Sequence, residues 1–287
     1  PMGMLESLKL DSLSSEQKKM LAAVGGVTAL VALTAYGMSP PKRKPKPPKI
    51  KIGYWTIRGL AAPLRMMCNY AGVDFYDEQY DIKREGEGWD AAEWTSAKPA
   101  LAAKNPLINL PYVEINGALT AQSNACGMAL AKVLGLALPG KEVATEELAC
   151  EVMDLRNAAV RVFYGKSEEA LKTHLDTVVA KNLPKFEAAL AKTSGAFLLG
   201  KKPTFPDFGL WEMLDEHERL ATSLKEKSPL AGFKKLKTFY ATIRNAPELI
   251  VYFAAGQYAL PINNKMALFG ADGEIRGNLY RTNPPPK

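Results

Sequence analysis

The sequence predicts a small α/β domain followed by an all-α domain, both placed after a hydrophobic N-terminal segment. Apolar residues alternate as in half-buried strands between residues 50 and 136. From Thr145 onward they recur with a period of 3.6, which is typical of helices, and no further strand is predicted. Residues 20–38 contain no charged side chain. These three patterns divide the chain into its main parts.

The α/β domain is organised around Lys51–Leu60, KIGYWTIRGL, with Tyr54 at its centre. Isoleucines alternate here with lysines, which predicts a strand with one buried face. Gly59 ends the strand, and Pro63 suits the first turn of a helix, where its missing N–H would have no partner anyway. Tyr54 is therefore expected at the carboxyl end of a strand, where ligands of α/β sheets gather. A purely structural strand aromatic is the alternative.

The rest of this domain, residues 50–136, is predicted from local signals. A second strand begins at Phe75, and a polar loop follows from Lys83. Asn116-Gly117 is a strong signal for a two-residue hairpin turn between a third and a fourth strand. Ser123 then begins a helix, whose free N–H groups can hold an anion.

The all-α domain is predicted over residues 143–269, with a tail at 270–287. Thr204 precedes an acid, Asp207, by three residues, which is a variant of the capping box at a helix start. The two histidines of the chain, His174 and His217, are predicted to lie on helix surfaces.

Charge and cysteine content narrow the class of protein. The net charge is +7, and most of it lies in the basic cluster between residues 39 and 52. The remainder is nearly neutral, which gives no reason to predict nucleic-acid binding. The three cysteines show no metal or redox spacing, which predicts reduced thiols in a reducing compartment.

Residues 20–38 are predicted to form a single transmembrane helix, because their length suits a hydrocarbon core of about 30 Å. The basic, proline-rich linker at 39–49 follows directly and is expected to be an extended spacer. Positive charge on this flank predicts that the large domain faces the inner side and residues 1–19 the outer side. A cleaved signal peptide and a buried helix of a soluble protein are the alternatives.

The large domain is thus expected on the reducing side of its membrane, in the cytosol, matrix or stroma. An organellar membrane, such as the mitochondrial inner or thylakoid membrane, stays open. Small residues spaced four apart, such as Gly25 and Ala29, let another helix approach closely, so other subunits of a membrane complex are expected partners. The linker lysines either meet anionic lipid or stay solvated.

Three motifs, in this order along the chain, resemble those of cytosolic glutathione transferases, nearest the mu class. They are GYW with IRGL from Gly53, NLPY from Asn109 and QSNA from Gln122, and the resemblance extends over residues 50–269. It implies a thioredoxin-like N-terminal domain, an all-α C-terminal domain and a cis Pro111. It also implies a homodimer, although Met128 stands where mu enzymes carry an arginine in the subunit-binding helix.

The resemblance implies that Tyr54 donates a hydrogen bond to the sulfur of glutathione. The thiolate is the nucleophile and a free thiol has a pKa of about 8.5, so such a donor stabilises the reactive form. The other residues that match glutathione contacts are Trp55, Leu60, Trp94, Lys98, Asn109, Leu110, Pro111, Gln122, Ser123 and Asp154. Tyr164 matches a tyrosine that faces the electrophile. Structural roles are the alternative for Trp94 in a core, Lys98 in solvent and Asp154 paired with Arg156.

Two functions remain open at this point. The first is a membrane-anchored glutathione S-transferase that activates the glutathione thiolate through Tyr54 for attack on an apolar electrophile. Glutathione is then the co-substrate, and no metal is expected. The second is an accessory subunit of a membrane complex that keeps the transferase fold with little or no catalysis. Membrane lipid, complex subunits and a second copy of the chain are the expected partners.

Overall fold

The computed structural model describes residues 47–85, 88–254, 256–271 and 279–281. The predicted segments 1–19 and 20–38, and most of the linker at 39–49, lie outside these residues. Within the described ranges, none of the helices combines the length and apolar character that a membrane crossing requires. Pro48–Lys287 form one unit, and all the elements named below belong to it.

Five strands form the central sheet, in the order β6-β5-β1-β2-β7. β1 and β2 are parallel. The other pairs are antiparallel: β5 pairs with β1, β6 with β5, and β7 with β2. A separate hairpin pairs β3 with β4. The strands are β1 (Ile50–Trp55), β2 (Phe75–Tyr80), β3 (Lys83–Glu85), β4 (Gly88–Asp90), β5 (Tyr112–Ile115), β6 (Ala118–Ala121) and β7 (Leu279–Arg281).

Most of the helices come after strand β6 in the chain. A π-helical segment occurs at His174–Val179, and short 3₁₀ turns occur at Gly59–Ala61 and Pro247–Leu249. The helices are α1 (Ala62–Tyr70), α2 (Ala92–Ala102), α3 (Ser123–Leu134), α4 (Glu142–Phe163), α5 (Glu168–Thr173), α6 (Ala180–Ala191), α7 (Phe205–Ser223), α8 (Lys234–Arg244) and α9 (Ile250–Ala254).

Several local predictions are confirmed. Pro63 lies in the first turn of α1, and Pro111 follows a cis peptide bond. Asn116 and Gly117 both have positive φ, 52° and 90°, as a two-residue hairpin turn requires. Gly53 allows the Tyr112 ring to pack directly on β1, because a Cβ at position 53 would lie 2.1 Å from that ring.

Three predictions about secondary structure are wrong. The polar loop after Lys83 contains the β3–β4 hairpin and α2. α2 forms despite Pro99 in its interior because alanine, the strongest helix former, fills four of its positions. A further strand does occur after Thr145, since β7 in the tail pairs with β2, with Arg281 opposite Phe75.

The prediction of surface positions for the histidines is also wrong. His174 is 3% exposed and His217 is 1% exposed. Their Nε2 atoms lie 3.0 Å apart, and the Nδ1–H of His217 donates to the Met213 carbonyl at 2.6 Å. With Nδ1 of His217 protonated, its Nε2 accepts the hydrogen bond and His174 donates it. Phe163 packs against both rings.

α7 is the central helix of the molecule, because almost its whole length is buried. It packs against α4 on one side and α1 on the other. At its start, the Phe205 ring lies on Gly127 of α3, where a Cβ would come within 2.4 Å of the ring. The helical part and the sheet part therefore share one continuous hydrophobic core.

Candidate functional site

Tyr54 lies near the carboxyl end of β1, and its side chain is 4% exposed. The chain turns sharply after the strand, and Gly59 in this turn has φ +37°. A Cβ on Gly59 would come within 2.9 Å of the Tyr54 hydroxyl oxygen, so the turn closes directly over the phenol. The glycine thus allows the backbone to reach the functional group of Tyr54.

Burial raises the pKa of Tyr54, and the nearby Glu216 acts in the same direction. Arg156, the backbone N–H of Leu60 as a hydrogen-bond donor, and Arg65 oppose this rise in pKa. The phenol therefore keeps its proton at neutral pH. Because the Leu60 N–H serves the oxygen as donor, the hydroxyl hydrogen of Tyr54 is left to donate to another group.

A small cleft of about 40 Å³ opens beside this turn, between the start of α3, α4 and α7. Leu60 and Ser123, two of the residues predicted to contact glutathione, line it together with Arg156, and Tyr54 does not. The buried Oδ1 atom of Asn124, also in the lining, has no hydrogen-bond partner among the described residues. The cleft, whose lining is mainly apolar, thus brings Arg156 close to the start of α3, where a helix N-terminus favours an anion.

Gln122, just before α3, adopts a conformation that is unusual for a non-glycine residue. Its φ is 71° and its ψ is 124°, and its side chain is exposed. Residues held in such sparsely populated backbone regions cluster at ligand-binding positions. This strain agrees with the predicted role of Gln122 at the γ-glutamyl end of glutathione.

Trp94 and Lys98 do not line the cleft. Trp94 is 5% exposed and packs in a second small core, with its ring 5.3 Å from Tyr80 and 6.4 Å from Tyr112. The exposed Lys98 places its Nζ 5.8 Å from the Trp94 ring centre. Packing in the core thus accounts for Trp94, and its predicted contact with glutathione stays a prediction.

The remaining predicted residues are spread around the turn. Trp55 and Leu110 are half-buried and contact both hydrophobic cores, and Pro111 is buried beside them. Asn109 and Asp154 are exposed. Their roles, like that of Trp94, stay predictions, and the alternative pairing of Asp154 with Arg156 is not found among the ion pairs of the described ranges.

Tyr164 lies close enough to Tyr54 for the charge of an ionised Tyr54 to raise the pKa of Tyr164. Burial is the main reason for the raised pKa of Tyr164. Its hydroxyl oxygen accepts a hydrogen bond of 2.9 Å from the backbone N–H of Asn264. The segment after α9 therefore reaches the predicted electrophile side of Tyr54.

Two charged residues near Tyr54 were not predicted as site residues. Arg156 lines the cleft, and Glu216 of α7 is 4% exposed. The sequence signals for them are weak: Arg156 follows Met153 by one helical turn, and Glu216 follows Gly209 and Met213 on one face of α7. Burial of charged side chains depends on which helices pack together, so neither position stands out in the sequence.

Sequence comparison finds relatives in one family. Residues 153–256 match the family model for the glutathione S-transferase C-terminal domain. The chain is 29% identical to glutathione S-transferase Mu 3 of Macaca fuscata fuscata over 222 residues, which is 76% of this chain and 94% of that protein. It is 28% identical to the human Mu 3 protein over 222 residues, again 76% of this chain and 94% of the relative.

Structural comparison agrees. The glutathione S-transferase Blo t 8 superposes with a TM-score of 0.64 at 25% identity, covering 77% of this chain and 99% of that one. The glutathione S-transferase from Ascaris lumbricoides gives a TM-score of 0.59 at 27% identity, with 72% and 97% coverage. A pi-class enzyme of Onchocerca volvulus, at 23% identity and a TM-score of 0.62, shows the shared fold. These matches show that the chain is similar to glutathione S-transferases in sequence and fold, and that residues 153–256 match the C-terminal domain of that family.

Proposed function

We propose that this protein is a glutathione S-transferase in which Tyr54 stabilises the thiolate of bound glutathione. The relatives named above are glutathione S-transferases, and we take glutathione as the co-substrate from that similarity. The observation that carries the proposal is the place of Tyr54 near the carboxyl end of β1, directly beneath the turn at Gly59. Burial raises the pKa of this phenol, so it keeps the proton that a hydrogen-bond donor needs.

The cleft beside the turn suits the γ-glutamyl end of glutathione. The start of α3 presents Ser123, whose hydroxyl can accept a hydrogen bond from an ammonium group. Arg156 supplies a positive charge in the same cleft. Gln122 would join Ser123 in holding the γ-glutamyl end, and the predicted contacts of Asn109 and Leu110 would hold the peptide backbone so that the cysteinyl sulfur faces Tyr54.

The chemical step follows from this arrangement. The thiol of glutathione releases its proton to solvent, and the Tyr54 hydroxyl donates a hydrogen bond to the resulting thiolate. The sulfur lone pair forms a bond to an electrophilic carbon of the second substrate, whose leaving group departs with its bonding electrons. Lowering a thiol pKa by about two units takes roughly 2.7 kcal/mol, which a hydrogen bond to a charged acceptor can largely supply.

Replacing Tyr54 by phenylalanine tests the proposal. We expect the pKa of the bound thiol to rise by about one to two units and conjugation at neutral pH to fall about ten- to a hundredfold. The thiolate absorbance of the bound tripeptide and the conjugation rate of the full-length protein measure these effects. Tyr76→Phe, on the neighbouring strand, is the matched control. Lack of glutathione affinity in the unmodified protein would contradict the proposal directly.

We further propose that residues 20–38 anchor the protein in a membrane, with the large domain on the reducing side. The uncharged stretch and its basic C-terminal flank support this. Resistance to alkaline extraction, combined with protease accessibility of the large domain in sealed vesicles, would agree with it. Release of the intact chain by alkaline washing would contradict it.

An accessory subunit of a membrane complex is the second candidate function. The low exposure of Tyr54, 4%, and its absence from the lining of the cleft are the observations in favour of this second candidate. Purification in mild detergent separates the two. A stoichiometric partner together with no glutathione affinity would support the subunit role, whereas a chain that purifies alone and conjugates glutathione would exclude it.

A further inference from the structure

The outer side of α8 carries positive charge and no negative charge. Lys234 and Lys237 are three residues apart, and Arg244 follows Lys237 by seven, so the three share one side of the helix. Lys235 lies at the edge of that side, and all four side chains are exposed. The opposite side of α8 is buried in the hydrophobic core. We call the four exposed residues the basic face.

Positive charge is concentrated around this helix. Residues 225–244, which cover α8 and most of the loop that precedes it, contain six basic side chains and one acid. The rest of the chain from Gly53 to its end carries four more acids than basic residues. The basic face is therefore a local feature of the surface and does not reflect the overall charge of the domain.

The acids that contact this segment have other partners. Glu226 pairs with Lys172 at 2.8 Å. Glu187 accepts hydrogen bonds of 2.8 Å from the backbone N–H groups of Lys235 and Leu236, so it already occupies the start of α8. In the ranges that the structure describes, no carboxylate forms an ion pair with a side chain of the basic face. These side chains are thus available to an external anion.

The positions between the basic side chains are small. Thr238 and Ala241 are exposed and Thr242 is half-buried, and both hydroxyls donate to backbone carbonyls of α8, at 3.0 and 2.8 Å. No exposed position of α8 holds an aromatic ring, which single-stranded nucleic acid uses as a stacking platform. The Arg244 guanidinium already lies over the Phe253 ring, 4.2 Å from its centre. Such a surface suits a layer of anionic groups that is recognised by charge alone.

We propose that the basic face of α8 docks on the headgroups of anionic membrane lipids. Basic residues clustered on an amphipathic helix bind such headgroups, and each residue near the lipid surface strengthens binding about fivefold. The apolar side of α8 stays in the core, so the helix contacts the headgroup layer without inserting. This contact is independent of the transferase chemistry, and it adds a reversible attachment to the membrane anchor proposed above.

Lysine acetylation on vesicles tests the inference with the full-length protein. Vesicles of phosphatidylcholine are compared with vesicles that also contain phosphatidylserine, and mass spectrometry reads the reaction rate of each lysine. We expect Lys234, Lys235 and Lys237 to react at least about threefold more slowly when phosphatidylserine is present. The rates are read relative to Lys104 and Lys166 of the same molecules, which are exposed on other elements. Molar salt, in which the Debye length is about 3 Å, should remove the protection.

The triple variant Lys234→Gln, Lys235→Gln, Lys237→Gln removes most of the basic face. These side chains are exposed, and glutamine forms helices about as well as lysine, so the variant should fold. We expect it to lose the phosphatidylserine-dependent protection of Lys227, which lies in the loop before α8. Glutathione conjugation should stay at the wild-type rate, because α8 does not line the cleft at Tyr54.

A second triple variant, Lys104→Gln, Lys132→Gln, Lys166→Gln, removes the same charge from other exposed positions and should keep the protection of Lys227. Loss of protection in this control would mean that net charge alone is recognised, and it would overturn the inference. Equal acetylation of the α8 lysines on both kinds of vesicle would overturn it as well. Stronger protection by an oligonucleotide than by phosphatidylserine vesicles of equal charge would replace the lipid by nucleic acid as the partner.

Discussion

Burial fixes the protonation state of several side chains in this protein. Tyr54 keeps its proton at neutral pH, because burial raises its pKa. The two histidines are held neutral for the same reason, since burial lowers the pKa of His174 to about 4 and that of His217 to about 3. Neutrality is what allows His174 to donate to the Nε2 atom of His217 across 3.0 Å.

The histidine pair should make the protein sensitive to acid. An unfolded histidine has a pKa near 6.5, so below that pH the unfolded chain binds protons that the folded chain does not bind. The free energy of unfolding should therefore fall with decreasing pH, by up to about 1.4 kcal/mol per pH unit for each histidine, until the pH approaches the folded pKa of about 4 or 3. Urea unfolding at a series of pH values measures this slope.

The double variant His174→Gln, His217→Gln is the control for that slope. Its stability should change less between pH 6.5 and pH 4, because no histidine remains in the chain. Asp207, whose pKa burial raises to about 6, works in the opposite direction and is present in both proteins, so it cancels in the comparison. Equal slopes in the two proteins would mean that the histidines do not set the acid limit.

At the scale of the element, α7 depends on its first turn. Asp207 is fully buried, and its carboxylate accepts three hydrogen bonds, from the backbone N–H and hydroxyl of Thr204 and from the backbone N–H of Leu198. The Asp207 carboxylate thus binds the preceding loop, through Leu198, and completes the capping box at the start of α7, through Thr204. Since α7 packs against both α1 and α4, a fault at this cap affects the whole core.

Asp207→Ala should lower the free energy of unfolding by about 3 kcal/mol, because it leaves buried backbone N–H groups without acceptors. Ser167→Ala removes the cap of the short, exposed α5, where the hydroxyl accepts from Ala170 N–H at 3.2 Å, and should cost about 1 kcal/mol or less. Denaturant titration of the two variants compares them. Similar losses of unfolding free energy in the two variants would show that the cap of α7 contributes no more to stability than the cap of α5.

At the scale of the whole molecule, Arg58 joins the two parts of the core. It lies in the turn after β1, is 0% exposed, and binds Glu212 and Asp215 of α7. The backbone N–H groups of Arg58 and Gly59 also donate to Pro261 and Ile262, in the segment after α9. The turn that covers Tyr54 is therefore held from both the helical part and the C-terminal segment.

Arg58→Met should destabilise the protein by about 3–5 kcal/mol, because it strands two buried carboxylates. Lys83→Met breaks an exposed pair with Glu93 and should cost at most about 1 kcal/mol. Adding Glu212→Gln and Asp215→Asn to the Arg58 variant should restore part of the loss, since the two buried carboxylates are then neutral and only the half-exposed Arg219 loses its partner. Thermal or denaturant unfolding checks each case, and an Arg58 variant as stable as the Lys83 variant would contradict this account.

Local signals carried the sequence predictions that are confirmed. The hairpin at Asn116-Gly117, the helix start at Pro63 and the capping box at Thr204 each depend on a few neighbouring residues. The errors have a different origin. Pro99 obscured α2, and the pairing of β7 with β2 joins residues about 200 positions apart, which no local pattern reveals.

The placement of the candidate site residues divides in the same way between local and long-range signals. Tyr54, Leu60 and Ser123 lie around one turn because the order of strand, turn and helix places them there. Arg156 and Glu216 reach the same place from two later helices, and the buried histidines depend on Phe163 covering them. Such neighbourhoods arise from helix packing, which the spacing of apolar residues does not specify.

The contact of Phe205 with Gly127 limits how this protein can be recombined with its relatives. A β-carbon at position 127 would meet the aromatic ring at 2.4 Å, so the two positions have to be exchanged as a pair. A chimera that combines Phe205 with a bulky residue at position 127 would push the start of α7 away from α3. Gene shuffling between this protein and its relatives should therefore yield folded hybrids only where Gly127 and Phe205 are inherited together.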